Sequence, residues 1–83
     1  MYIHLGESTV VRDDEVIGFF DLETTTVSKH TRDFLKYAEK RKEVVNVSYE
    51  LPKSFILCSK GKKNKKVYIS QISSTTLLKR SEI

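Results

Sequence analysis

The sequence predicts an α+β fold: a small antiparallel sheet of about five to six short strands, one central helix and a short C-terminal helix. Three observations predict it. Several short stretches alternate apolar and polar residues with a period of two. One stretch, from about Lys29 to Lys42, carries its apolar residues at helical spacing. Ser54 to Ser70 reads as two β-prone runs, Phe55-Ile56-Leu57-Cys58 and Val67-Tyr68-Ile69, joined by Lys60-Gly61-Lys62-Lys63-Asn64-Lys65-Lys66. Gly61 and Asn64 suit the positive φ of a chain reversal, so this stretch is expected to be an antiparallel hairpin with a lysine tip.

The remaining elements follow in order. Tyr2-Ile3-His4-Leu5 alternates, with Ile3 and Leu5 on one face and Tyr2 and His4 on the other. Gly6-Glu7 is a turn into Thr9-Val10-Val11, and Arg12-Asp13-Asp14-Glu15 is a charged turn. Val16-Ile17-Gly18-Phe19-Phe20 is apolar on both faces. Such a strand needs cover on both sides, and a small domain has little material for two layers. A neighbouring subunit is expected to cover one face. Asp21 to Val27 is a polar, threonine-rich connector.

Ser28 is placed to cap the helix. Its apolar stripe is Thr31, Phe34, Leu35 and Ala38, with Tyr37 on the shoulder, and Lys29, Arg32, Lys36 and Lys40 fall on the wet side. Val44 to Leu51 alternates as a half-buried strand, and Pro52 interrupts it for want of a ladder donor. Ser73 or Ser74 caps the last helix through Leu78, with Lys79 and Arg80 at its favourable end.

At 83 residues the chain reads as a single domain over 1–83, with a modest core. The formal net charge is +4, from fifteen basic and eleven acidic residues. The tip alone holds five lysines and no acid; the rest of the chain has ten basic and eleven acidic residues. The positive excess is therefore local, which suits phosphate backbones or acidic membrane surfaces better than a diffuse basic coat. A solvated loop whose lysines serve solubility is the plain alternative. One cysteine, Cys58, excludes an intramolecular disulfide. The first residues lack a signal-peptide pattern and no run reaches membrane-spanning length, so a cytoplasmic protein with no membrane partner is expected.

No enzyme signature stands out. His4 and His30 lie on different elements and make no metal-ligand spacing. Cys58 has no neighbour that would activate it. Asp13-Asp14-Glu15 is the pattern of a solvated turn, and no glycine-rich phosphate loop occurs. No catalysis, cofactor, metal or small-molecule substrate is expected. Tyr2 and Tyr68 are read as core-packing rather than base-stacking residues. The tip lacks arginine for base edges, so contact is expected with phosphates. The candidate residues are Lys60, Lys62, Lys63, Lys65 and Lys66, with Lys53 as a secondary one.

The order of several short pieces resembles one family. Tyr2-Ile3-His4-Leu5-Gly6, Val16-Ile17-Gly18, Val47-Ser48-Tyr49 and Tyr68-Ile69-Ser70 are followed by Ser73-Ser74-Thr75-Thr76-Leu77 and Arg80. Together they are similar to the RemA-like family of bacterial extracellular-matrix (biofilm) regulators, over essentially the whole chain. The resemblance implies an α+β fold, ring-shaped homo-oligomers and DNA binding that activates transcription of matrix operons. It also marks departures. Where family members carry adjacent arginines just after the position of Tyr49, this chain has Leu51 and Pro52, with Lys53 close by. Where they carry an arginine before the Val16 strand, it has Glu15. Their loop matching Lys60–Lys66 is shorter and not lysine-rich. Two readings result: a homo-oligomeric DNA-binding regulator, or a scaffold of the same fold that assembles without binding DNA. An RNA-binding module is a third.

Overall fold

The computed structural model describes residues 1–22, 28–61 and 64–81. Its described elements are β1 (Tyr2–Gly6), β2 (Thr9–Arg12), a 3-10 turn (Asp13–Glu15), β3 (Val16–Asp21), α1 (Lys29–Lys40), β4 (Val44–Asn46), β5 (Ser54–Lys60), β6 (Asn64–Ser70) and α2 (Ser74–Ser81). The fold is α+β, with the six strands among the described residues divided between two sheets. β1 and β2 form a hairpin; the larger sheet has the order β3-β5-β6-β4. Its β3–β5 and β5–β6 pairings are antiparallel, while β4 runs parallel to β6. The parallel pair follows from counting reversals. The chain turns once between β4 and β5 and again between β5 and β6, which restores the original direction.

Period-two alternation divides the larger sheet's side chains between two layers. Ile56 and Cys58 point toward β1, β2 and α2, where they pack with Ile3, Leu5, Val11, Val47 and Leu77. Phe55 and Leu57 point the other way, into a smaller cluster with Ala38 of α1 and Val67. Two buried serines tie the layers. Ser70 Oγ donates to the Leu5 carbonyl at 2.6 Å and accepts from Ile72 N–H at 3.0 Å. Ser54 Oγ donates to the Ile72 carbonyl at 2.7 Å. Arg80 closes the same region by donating from Nη1 to the His4 carbonyl at 2.8 Å.

Both helices begin where their caps place them. Ser28 Oγ accepts from Thr31 N–H at 3.2 Å, and Ser73 Oγ accepts from Thr76 N–H at 3.3 Å. The Ser54–Ser70 hairpin forms in the expected antiparallel sense, with Ser54 opposite Ser70 and Lys60 opposite Asn64. Gly61 supplies the positive φ, at +72°. Asn64 instead opens β6.

Two expectations need correction. The alternation from Val44 to Leu51 is a strand only as far as Asn46. Val47 N–H still donates to the Ile69 carbonyl, but β6 ends at Ser70 and offers no further backbone partner. Tyr49 and Leu51 therefore stand in solvent rather than sharing a buried face with Val45 and Val47. Tyr2 is exposed, not core, because the β1–β2 hairpin is covered on one face only and Ile3 and Leu5 take that face. β3 is the edge strand of the larger sheet. Its Val16 and Phe19 face the core, Ile17 bulges out of register, and Phe20 lies half-open on Phe55.

Candidate nucleic-acid interface

The two seven-residue strands β5 and β6 extend the hairpin well past the core. Burial falls along it: Phe55, Ile56, Cys58 and Val67 are buried, while Lys60, Gly61, Asn64, Lys65 and Lys66 are exposed. The turn is held by Ser59 Oγ, which donates to the Gly61 carbonyl at 2.7 Å. A Cβ added at Gly61 would meet nothing within 4 Å.

Cross-strand register sorts the tip cations. Lys66 lies opposite Cys58 and Lys60 opposite Asn64, so Lys60 and Lys66 belong to the face of Cys58 and Tyr68. Lys65 lies opposite Ser59, on the face covered lower down by α1. Lys62 and Lys63 lie outside the described residues. None of the ion pairs found among the described residues engages Lys60, Lys65 or Lys66.

Lys53 belongs to the opposite end. Its backbone N–H donates to the Ser70 carbonyl, and its carbonyl accepts from Leu22 N–H, each at 2.9 Å. The side chain is exposed. Six strand steps, about 20 Å, separate it from the tip. The structure thus places Lys60 and Lys66 together, sets Lys65 on the other face, and keeps Lys53 apart.

Sequence reading missed a neighbouring arrangement. Arg41 Nη1 donates to the Tyr37 hydroxyl at 2.9 Å, and Arg41 Cζ lies 5.4 Å from the centre of the Tyr37 ring. Arg41 Nε also lies 3.6 Å from Glu43 Oε2. These groups, with Phe34, Leu57, Lys65 and Val67, line a groove of about 470 Å³ between α1 and the sheet. The i, i+4 spacing of Tyr37 and Arg41 was a visible signal for the pair; their approach to Lys65 was not, because it depends on where α1 lies across β6.

Cys58 is buried and its thiol is pushed up to about 11, first by burial and then by the negative charge of Glu15. That is the environment of an inert structural thiol. Burial also raises the Tyr68 phenol. Among the described residues no group of three or more His, Cys, Asp or Glu side chains is arranged to hold a metal ion, and no helix is long and apolar enough to cross a membrane.

The profile of the RemA-like family, described as Extracellular matrix regulatory protein A-like, matches residues 2–80, from β1 into α2. The chain belongs to the RemA-like family. It is also 37% identical over 82 residues to Extracellular matrix regulatory protein B of Bacillus subtilis (strain 168), covering 99% of this chain and 91% of that relative. In this RemA-like chain the pieces that carry the resemblance converge on one layer. Leu5, Ser70 and Leu77 are buried together, Ser70 bonds to Leu5, and Arg80 bonds to His4. Those residues are explained by folding. Of the positions where the resemblance marks departures, Leu51 and Pro52 are exposed, and Glu15 is half-buried beside the core.

Proposed function

We propose that this RemA-like extracellular matrix regulator is a homo-oligomeric, non-enzymatic DNA-binding protein that controls transcription of matrix genes from the cytoplasm. Binding rests mainly on backbone phosphates and duplex shape. The observation that carries the reading is the long hairpin whose exposed tip bears cations with no acid among residues 60–66. Lys60, Lys62, Lys63, Lys65 and Lys66 supply the charge, with Lys53 secondary. Self-association is supported by the half-open Phe20 and the exposed Ile17 of β3, and it multiplies the phosphate contacts made by one assembly.

Each lysine that neutralises a phosphate steepens the dependence of log affinity on log salt by about 0.9. Five tip lysines therefore set an upper bound of about −4.5 per protomer. Replacing all five by serine is expected to flatten the slope of a gel-shift titration across salt concentrations while leaving the fold intact. An unchanged slope removes the tip from the mechanism. The rival is a scaffold that assembles without touching DNA. It is favoured by Leu51 and Pro52, which offer no cation where the resemblance places arginines. No shift at low salt decides for the scaffold, and preferential loss of the shift to RNA competitor decides for an RNA-binding module.

A further inference from the structure

Asn64 is the one uncharged polar side chain in the run from Lys60 to Lys66, and turn geometry does not explain it. Asparagine is depleted in strands. It is common at hairpin reversals because it tolerates positive φ. Here Gly61 takes the positive φ, and the non-glycine residues with positive φ among the described residues are Glu7 and Lys42. Asn64 instead opens β6 and stands in the ladder opposite Lys60. The turn is held by Ser59 Oγ on the Gly61 carbonyl. The Asn64 side chain is exposed, and among the described residues its amide has no hydrogen-bond partner.

We propose that Asn64 is the base-reading residue of the hairpin and selects adenine in the major groove. The inference rests on the DNA-binding reading above and adds a sequence preference to it. A side-chain amide presents an acceptor and a donor side by side. That pair matches the N6 amino group and N7 of adenine, and no other single base presents both in the major groove. The groove, about 12 Å wide and 8.5 Å deep, admits a two-stranded ribbon. On β6 burial begins at Val67, three strand steps from Asn64, or about 10 Å. That reach is close to the depth of the groove, so Asn64 arrives at the base edges as the body of the protein meets the rim. Lys65 and Lys66 lie one and two steps nearer the body, at the height of the phosphates. Lys60, opposite Asn64, reaches a groove wall with its longer side chain. The lysines supply affinity without choosing a sequence; the amide makes the choice.

The test selects duplexes from a random-sequence library with the full chain, then measures the enriched duplex by fluorescence anisotropy across salt concentrations. Selection is expected to enrich a sequence with a fixed adenine. Replacing that A·T pair by G·C is expected to weaken wild-type binding about tenfold. Replacing the adenine by 7-deazaadenine, which lacks the N7 acceptor and leaves the minor groove unchanged, is expected to cost part of that factor. Asn64→Ala is expected to bind all three duplexes equally. Its log–log salt slope should match that of the wild type, because the amide carries no charge. Circular dichroism verifies that the variant folds. A merely structural role for Asn64 would change affinity for every duplex alike and would leave the wild type indifferent to 7-deazaadenine. That indifference, an adenine preference that survives in Asn64→Ala, or binding with no enriched adenine overturns the base contact alone and leaves phosphate-dominated binding standing. No binding to any duplex at low salt overturns the DNA-binding reading as well.

Discussion

At the scale of single residues, Cys58 shows how burial sets chemistry. Its thiol sits among Ile56, Val11 and Leu77, with Glu15 adding negative charge nearby. Both effects disfavour the thiolate, so the folded thiol is pushed up to about 11, from 9.0 for the free group. The folded state therefore holds this proton more tightly than the unfolded state. The resulting stability is fully present below pH 9 and is lost as pH rises toward 11, at a rate of up to about 1.4 kcal/mol per pH unit. Tyr68, also raised by burial, acts in the same direction. Urea midpoints measured from pH 8 to 11 are expected to fall, and to fall less steeply in Cys58→Ala, whatever the variant's stability at pH 8. Equal slopes in the two proteins would show that the buried thiol is not the group responsible.

At the scale of elements, the hairpin and helix α1 were legible because their determinants are local. Ser28 three residues before Thr31, the Thr31–Phe34–Leu35–Ala38 spacing and a glycine between two β-prone runs each act within a few residues. Gly61 is the simplest to test. At φ +72° a Cβ costs about 1–2 kcal/mol of backbone strain, and no neighbour adds to it. Gly61→Ala is expected to lower the unfolding free energy by that amount in urea titration, without altering the structured core. A neutral result would mean that the tip relaxes to another turn. The end of β4 was not legible, for a physical reason. The alternation Val45, Val47, Tyr49, Leu51 continues past the point where β6 stops supplying backbone partners, and a strand cannot outlast its ladder. The division into two sheets, the parallel β4–β6 pair and the nearness of Arg41 to Lys65 likewise depend on contacts between residues far apart in sequence. Of the candidate interface, the cluster of charge could be read directly. The sorting of Lys60 and Lys66 from Lys65 could be read only once the cross-strand register was known.

At the scale of the whole molecule, the proposed DNA binding raises the question of how a body with cations at both ends of one hairpin would meet a duplex. Lys53 and the tip lie about 20 Å apart along β5. A hairpin lying along the DNA axis reaches phosphates with both ends, since the duplex carries a charge every 1.7 Å or so. A hairpin arriving tip-first reaches them with the tip alone. The charges distinguish the two poses. The tip has no carboxylate among residues 60–66, whereas the Lys53 end carries Glu50 and the exposed apolar Tyr49 and Leu51. Bringing that end to a phosphate backbone adds like-charge repulsion and strips water from DNA without returning hydrogen bonds. Tip-first approach is therefore expected. In filter binding across salt, Lys60→Ser with Lys66→Ser should reduce the magnitude of the log–log slope by about 1.8 per bound protomer, while Lys53→Ser, a secondary contact at most, should reduce it by well under about 0.9. A loss of about 0.9 in Lys53→Ser would instead lay the hairpin along the groove, and would bring the Tyr49–Leu51 turn against the DNA with it.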